Sequence, residues 1–232
     1  KMKKEFILKT LEEQNQLTPE LQQRIQKSFN LTQIEDLYKK KKKKKKTKAT
    51  IAKEKGLEPL AKIIMKQNNI NDLDSLAKQY INADVPYIED AYAGAQDIIA
   101  EWINENEYVR HRLREIYRKS AIIESKVVKA KENDEDAKKY SNYFEYQEPL
   151  KKIASHRLLA ILRGENEGFL KFSVTIDKKE AFSFLEYTII KSMQPEVSWV
   201  IEEAIKDSYK RLLAPSISNE VLTLVRDTSL AQ

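Results

Sequence analysis

The segment 88–105 reads IEDAYAGAQDIIAEWINE, and its apolar pattern is the strongest structural signal in the 232-residue chain. Apolar side chains recur every three or four residues over about four turns, which places them on one face of an α-helix. They are Ile88, Ala91, Tyr92, Ala95, Ile98, Ile99, Trp102 and Ile103. This segment therefore predicts a long helix with one buried face, and a fold that is mainly α.

Helix signals lie on both sides of this segment. Thr18-Pro19 combines a capping side chain with a proline at the first helical position, and Asp72-Leu73 begins a further helix. Apolar residues at helical spacing also fill 58–66, and a short amphipathic turn is predicted over 31–38. Asn106 restarts a helix directly after the long one.

More helices are expected toward the C-terminus. One is predicted over 149–163, with a proline near its start and Gly164 just past its end. Pro195 opens another helix, and Pro215 or Ser216 opens the last one.

One or two short strands interrupt these helices. Apolar and polar residues alternate over 170–176, which is typical of a strand with one buried face. The β-branched segment 122–128 is the second candidate. The highly charged stretch 129–140 that follows it is predicted to be a loop.

These signals divide the chain into four predicted parts. Residues 1–70 form a helical segment that contains a lysine-rich connector at 39–48. Residues 71–128 form a compact helical unit. Residues 129–194 contain a charged loop, a helix and a short strand, and 195–232 contain long helices.

The net charge of +6 comes from one segment. The chain has 42 basic and 36 acidic residues, and eight of the lysines form the unbroken run Lys39 to Lys46. Without that run, 34 basic residues face 36 acidic ones. Any argument for nucleic-acid binding must therefore rest on local clusters and not on the overall charge.

The composition excludes several classes of chemistry. With no cysteine there is no disulfide, thiolate zinc site, iron–sulfur cluster or cysteine nucleophile. No apolar run approaches the roughly 20 residues that cross a bilayer, and no signal peptide is recognised, so we expect a cytoplasmic protein without membrane contact. Four glycines leave no room for a phosphate-binding glycine loop.

Catalytic and metal sites are also not expected. Glu132, Asp134, Glu135 and Asp136 are dense but lack the glycine and final glutamate of a calcium loop. His111 and His156 have no carboxylate or nucleophile placed beside them in a pattern that makes a catalytic unit. We therefore predict no enzyme activity, no metal and no small-molecule cofactor for this chain.

Two basic clusters are candidates for contact with nucleic acid. Arg110, Arg114 and Arg118 are four residues apart and project from one helix face, with Arg112 nearby. Such a stripe can follow a phosphate backbone, although a solvated face of mixed charge is the alternative. In the lysine run, Lys39, Lys42 and Lys46 are the candidate contacts, and a disordered loop is the alternative. Neither cluster supplies side chains that read bases, so binding to RNA or DNA should be weak and non-specific.

Several stretches, taken in order, resemble the bacterial Tex family of transcription accessory proteins. They are LTPEL at 17–21, IEDLY at 34–38, KATIAKEKGLEPLA at 48–61, AQDIIAE at 95–101, YFEY at 143–146, SHR at 155–157, LRGE at 162–165 and YKRLLAPS at 209–216. The resemblance covers nearly the whole chain. The family usually has a connector with proline and aromatic residues where this chain has Lys39 to Lys46.

The resemblance implies an all-helical region that contains a helix-turn-helix-like unit, which corresponds to 71–128. It also implies that the long helices of 195–232 lead toward a core outside this chain. In the family such a region precedes a ribonuclease-H-like domain, helix-hairpin-helix elements and a C-terminal OB-fold domain that binds RNA. We therefore expect this chain to be part of a larger protein, with RNA binding mainly in that OB-fold domain.

Two functions remain open at this point. The first is a non-enzymatic scaffold and nucleic-acid-associated module of a transcription accessory protein. The alternative is a protein-interaction module that docks on the rest of its own chain or on the transcription machinery, without direct contact to nucleic acid.

Overall fold

The computed structural model describes residues 2–15, 17–27 and 45–230, which fall into two units, Lys1–Thr47 and Lys48–Gln232. Within these ranges the chain forms 11 α-helices and one three-stranded antiparallel sheet, which confirms the mainly α class. The four-part division of the sequence stays a prediction, as does the helix-turn-helix-like unit.

The first unit contains two helices that pack on each other, α1 (Met2–Glu13) and α2 (Pro19–Lys27). Thr18 caps α2 as predicted, because its Oγ1 accepts a hydrogen bond from the Leu21 backbone N–H at 3.2 Å. A separate small core joins the helices and consists of Ile7, Leu11, Leu21 and Ile25. The amphipathic turn predicted over 31–38 lies outside the described residues.

The second unit is built around one long helix. Three short helices come first along the chain: α3 (Lys48–Glu54), α4 (Glu58–Lys66) and α5 (Leu73–Lys78). All three pack against α6 (Ile88–Glu105), the helix that the sequence predicts most strongly. Gly94 of α6 lets Leu57 approach closely, since a Cβ atom at Gly94 would overlap the Leu57 side chain.

The next helix, α7 (Glu107–Ser120), follows α6 after a single residue. That residue, Asn106, ends one helix and caps the next, because its side-chain oxygen accepts a hydrogen bond from the Val109 N–H at 3.0 Å. Val109, Leu113 and Tyr117 form the buried face of α7. The remaining faces of α7 carry its charged residues.

The sheet has the strand order β2-β1-β3, with both neighbours antiparallel to β1. The predicted strands are confirmed as β1 (Ile122–Val127) and β3 (Leu170–Thr175). Alternate residues of β3 are buried, and Val174 pairs with the buried Ile123 of β1. This alternation is the pattern from which β3 was predicted.

The strand β2 (Glu145–Pro149) was not predicted from the sequence. Its residues are mostly polar, and none of its side chains is fully buried, so it lacks the alternating apolar pattern that marks β3. As an edge strand it is held mainly by backbone pairing to β1, and the partly buried Tyr146 packs against the core. The helix predicted over 149–163 is consequently wrong at its start: Pro149 ends β2, and the α-helix begins at Ser155.

The charged stretch predicted as a loop over 129–140 contains regular structure instead. Two 3₁₀ helices occupy Lys129–Lys131 and Glu135–Tyr143. The Asp134 side chain accepts a hydrogen bond from the Asp136 N–H at 2.9 Å and starts the second of them. Ala137 and Tyr140 are buried, which anchors this otherwise charged segment.

The role of Gly164 differs from the predicted helix stop. It lies inside α8 (Ser155–Asn166), and the left-handed glycine after the helix is Gly168, with φ +83°. At Gly164 an added Cβ would overlap the Leu170 side chain of β3. The glycine therefore permits close packing of α8 on the sheet.

The C-terminal part contains two consecutive helices, and the second of them continues into a long helical rod that runs over residues 195–230. The helix α9 (Lys178–Ile189) precedes α10 (Pro195–Asp207), which starts at Pro195 as predicted. A π-helical segment, Ser208–Leu213, then joins α10 directly to α11 (Ala214–Leu230).

The α-helix α11 begins at Ala214, one residue before the predicted start at Pro215, but it continues the π segment without a break, so the prediction of a separate last helix is wrong. The wider π turn immediately before Pro215 makes room for a ring that would clash with the preceding turn of a regular α-helix. Among the helices in the described ranges, none is both long and apolar enough to cross a membrane.

We expect Gly164→Ala to destabilise the protein. Both Cδ1 and Cγ of Leu170 lie in the space of the added methyl group, so rotation of the side-chain tip cannot relieve the overlap. Overpacking should outweigh the helix propensity of alanine and lower the free energy of unfolding by about 1–2 kcal/mol, measured by urea denaturation.

The same substitution in a Leu170→Ala variant tests whether the contact with Leu170 causes the destabilisation. In Leu170→Ala the obstructing side chain is gone, so adding Gly164→Ala should be neutral or stabilising. Equal destabilisation in both backgrounds would contradict the proposed contact.

Candidate nucleic-acid interface

The helix α7 carries all four arginines that the sequence singles out as phosphate contacts. Because Val109, Leu113 and Tyr117 take the buried face, the arginines lie on the flanks and the outer face of the helix. The structure places them in two different environments. Arg110 and Arg114 engage another helix, whereas Arg112 and Arg118 are exposed.

Arg110 and Arg114 both bind the carboxylate of Glu220 on α11. Arg114 donates from Nε to Oε2 at 2.7 Å and from Nη2 to Oε1 at 3.0 Å. Arg110 donates from Nη2 to the same Oε1 at 3.1 Å. Two guanidinium groups thus share one carboxylate, and the paired geometry of Arg114 is the strong bidentate form.

Arg110 also makes contacts that fix its position. Its Nη2 donates to Ser216 Oγ at 2.7 Å, and its Nη1 donates to Asn104 Oδ1 at 3.0 Å. Its side chain is 18% exposed, against 42% for Arg114 and 41% for Glu220. The mostly buried Arg110 therefore links the end of α6, the start of α7 and the N-terminal half of α11.

The pKa values respond to this pairing. The hydrogen bonds from Arg114, with a smaller contribution from Arg110, hold the pKa of Glu220 below its ordinary value of 4.5. Hydrogen bonding to Glu220 raises the pKa of the Arg114 guanidinium in turn. The Glu220 carboxylate and the Arg114 guanidinium therefore stay charged across the physiological range. We call Arg110, Arg114 and Glu220 the α7–α11 clamp.

The other two arginines face solvent. Arg112 donates to Glu115 Oε2 at 2.6 Å, and His111 Nε2 lies 3.0 Å from the other oxygen of the same carboxylate. Within the described part of the chain, Arg118 has no ion pair. Arg118 is thus the arginine of α7 whose charge is least compensated.

A groove of about 470 Å³ opens beside Arg118, between α7, the segment 150–159 and α11. The apolar part of its wall consists of Leu150, Ile153, Leu158, Leu159, Val221, Leu224 and Val225. Arg118 and Lys151 add positive charge at its edge, next to the clamp. Leu159 and Leu224 are exposed, so part of this apolar surface faces solvent.

The lysine run is mostly outside the described residues, and Lys39 and Lys42 lie there. Lys46 is described, belongs to the first unit and is exposed. The candidate site on α7 lies entirely within the second unit.

The two histidines and the acidic stretch have separate positions. His156 is exposed at the start of α8, and His111 is held by Glu115. Glu132, Glu135 and Asp136 are exposed, and Asp134 caps a 3₁₀ helix. Among residues 2–15, 17–27 and 45–230, no three acidic or histidine side chains are grouped closely enough to hold a metal ion.

Sequence reasoning missed the partners of the arginines. Glu220 and Ser216 are more than 100 residues away from Arg110 along the chain, so helical spacing gives no sign of their proximity. In the sequence, Glu220 stands out only as an acidic residue on an amphipathic C-terminal helix. Many surface helices carry such a residue, so this pattern does not identify a partner for Arg110 or Arg114.

Comparison with known proteins gives consistent matches. A family model described as Tex central region-like matches residues 68–231. The uncharacterized protein YdcI of Bacillus subtilis is 39% identical over 221 residues, which cover 94% of this chain and 31% of that protein. The transcriptional accessory protein Tex of Neisseria gonorrhoeae is 38% identical over 172 residues, which cover 74% of this chain and 22% of that protein.

A more distant relative carries a further description. The S1 RNA-binding domain-containing protein 1 of Homo sapiens is 28% identical over 187 residues, which cover 75% of this chain and 18% of that protein. This chain therefore spans less than a third of the length of each of these three relatives.

We expect Glu220→Gln to lower the free energy of unfolding at neutral pH by about 1 kcal/mol, because the pair is partly exposed and screened by water. The pKa of Glu220 is lower in the folded protein, so its contribution is fully present above pH 4.5, the ordinary value, and is lost as the pH falls through the folded value. Urea denaturation at several pH values should show the difference between wild type and variant shrinking below pH 4.5.

Glu186→Gln is the matched control, since Glu186 is exposed on α9 and forms no ion pair with a described residue. It should change stability by less than about 0.5 kcal/mol. A Glu220→Gln effect that persists unchanged to pH 3, or that equals the control at pH 7, would show that the clamp does not stabilise the fold.

Proposed function

This chain belongs to the Tex family, as its sequence predicts, and on that basis we propose that it is a non-catalytic scaffold of a transcription accessory protein that also contacts nucleic acid weakly. The scaffold part concerns the second unit, and the contact part concerns the exposed arginines of α7. The RNA binding expected from an OB-fold domain would lie in a part of the protein outside this chain.

The α7–α11 clamp is the observation that carries the proposal. Arg110 and Arg114 are directed at Glu220, which holds the basic helix against the C-terminal rod. A phosphate could bind these two arginines only in competition with a carboxylate that is already in bidentate geometry. The clamp thus supports a structural role for Arg110 and Arg114.

Arg112 and Arg118 support the nucleic-acid part. Both are exposed, and Arg118 lies near Lys151 at the edge of the groove. Exposed cations of this kind neutralise phosphates without reading sequence. In the proposal the lysine run, including Lys39, Lys42 and Lys46, adds further phosphate contacts of the same type.

The absence of catalysis is part of the proposal. The carboxylates with strongly defined partners serve structural pairs, as Glu220 does with Arg114 and Glu148 does with Arg157. The family relatives named above are described as accessory, uncharacterized or RNA-binding proteins. We therefore assign this chain a role in holding and positioning.

The groove favours a second candidate function. Its apolar wall, with Leu159 and Leu224 exposed, is the kind of surface that another polypeptide covers. In this alternative the chain is a protein-interaction module that docks on the rest of its own polypeptide or on the transcription machinery. Leu224→Glu would disrupt that contact without changing Arg112 or Arg118.

We expect single-stranded RNA to bind this chain weakly, with affinity that falls steeply as salt rises. In Arg112→Gln/Arg118→Gln, two phosphate contacts are lost, so the slope of log affinity against log salt should decrease by about 1 to 1.5. Fluorescence anisotropy between 50 and 300 mM salt measures both quantities, and the loss should be the same for unrelated sequences.

Two controls separate contact from stability. Arg110→Gln should lower stability but leave the salt slope of the folded protein unchanged. Lys53→Gln/Lys66→Gln removes the same charge from α3 and α4 and should have little effect. Tight, salt-insensitive binding to one sequence would refute the electrostatic reading, and no binding at 50 mM salt would favour the interaction module.

A further inference from the structure

A second cavity of about 510 Å³ lies at the N-terminal end of α9 and beside the π segment. Its apolar wall includes Ile176, Phe182 and Ala214. Its volume falls within the roughly 300–1,000 Å³ range of small-molecule sites. The cavity does not include any of the α7 arginines, so it is a separate feature of the surface.

Aromatic side chains form a rigid part of this wall. The rings of Phe182 and Tyr209 pack edge to face, with centroids 5.1 Å apart. Tyr117 also lines the cavity, and its hydroxyl lies 3.0 Å from Ser218 Oγ. Since Ser218 uses its single hydroxyl proton on the Val174 carbonyl at 3.1 Å, Tyr117 must donate to Ser218.

Tyr209 is neutral at physiological pH. Burial, followed by the neighbouring Tyr117, raises its pKa far above the ordinary value of 10.0. Tyr209 therefore presents an uncharged ring and hydroxyl group to the cavity, and its side chain adds no buried negative charge that would oppose an anionic ligand.

Three lysines surround the opening, Lys178, Lys206 and Lys210, and all are exposed. Lys206 pairs with Glu203 at 3.1 Å. In the described part of the chain, Lys178 and Lys210 have no ion pair. Asp177, next to Lys178, accepts a hydrogen bond from the Lys179 N–H and so caps α9. The described residues that line the cavity include the three lysines and no acidic residue, so positive charge predominates at the rim.

We infer that this lysine-rimmed pocket binds single-stranded nucleic acid, with one base against the aromatic and apolar wall and the adjoining phosphates on Lys178, Lys206 and Lys210. The inference rests on the proposed nucleic-acid contact and names a site for it. An apolar interior with a cationic rim matches the two parts of a nucleotide, a flat ring and a phosphate.

A single strand fits this pocket better than a duplex. Bases in a duplex are stacked and paired, so a recessed wall cannot reach a ring without extruding it. In a single strand the rings are accessible, and an aromatic side chain can contact any of the four bases. Binding here should therefore be independent of sequence but should depend on the presence of bases.

Two labelled strands test this: a 12-nucleotide oligothymidylate and an abasic deoxyribose-phosphate strand of the same length. In the intact chain, Lys178→Gln/Lys206→Gln/Lys210→Gln should reduce the salt slope for oligothymidylate by about 2, the value for three phosphates. The control Lys53→Gln/Lys66→Gln/Lys78→Gln makes the same charge change at exposed lysines outside the pocket and should leave the slope near that of wild type.

Phe182→Leu tests whether the aromatic ring of Phe182 contacts a base. It keeps apolar volume in the wall but removes the ring, so affinity for oligothymidylate should fall roughly fivefold or more. Affinity for the abasic strand should not change. Thermal unfolding confirms that each variant is folded under the conditions of the titration.

The outcomes separate this inference from the proposed function. The pocket is not the binding site if wild type binds oligothymidylate but the pocket variant and the control variant have the same salt slope. It is also not the site if wild type binds both strands equally. In either case the exposed arginines of α7 remain the candidate contacts. If wild type binds neither strand at 50 mM salt, the proposed nucleic-acid contact and the proposed binding site in the pocket are both refuted.

Discussion

The burial of α6 is the constraint on which the second unit depends. Ala91, Ala95, Ile98 and Ile99 are inaccessible to solvent, so neighbours must cover this helix along most of its length. The short helices α3, α4 and α5 cover one part, and α10 with the π segment covers another. Inside this contact, Ser208 donates a hydrogen bond to the Ala100 carbonyl at 2.7 Å, which fixes the start of the π segment against α6.

The position of the clamp follows from this anchoring. Once α10 and the π segment are held on α6, the continuous rod carries α11 past α7, and Glu220 meets Arg110 and Arg114. The same path brings Ser218 to Tyr117 and to the Val174 carbonyl of β3. A basic helix that looks like a binding face in the sequence thus acts partly as a structural connection between three elements.

Local patterns in the sequence were enough to predict most helices. The period of 88–105, the Thr18 cap and the prolines at 19 and 195 each act within a few residues, and each prediction is confirmed. The strand β3 was predicted for the same reason. In contrast, β2 depends on pairing with β1, and the continuity at Pro215 depends on a π turn, so neither has a local signal.

The candidate site was less predictable than the fold. The sequence located the four arginines of α7 on one helix, but it could not separate Arg110 and Arg114 from the exposed Arg112 and Arg118. That difference comes from Glu220, which lies over 100 residues away. The lysine-rimmed pocket has the same origin, since Lys178 and Lys210 come together only through tertiary packing.

The π segment has a geometric consequence for everything beyond it. A π turn accommodates an extra residue relative to an α-helix, and one residue corresponds to a rotation of about 100° around the helix axis. Ser208–Leu213 therefore sets the rotational phase of α11 with respect to α10. Loss of a single residue there would preserve a helical rod but turn Glu220 by more than a quarter of a circle. The positions of the clamp and of the groove therefore both depend on the number of residues in this π segment.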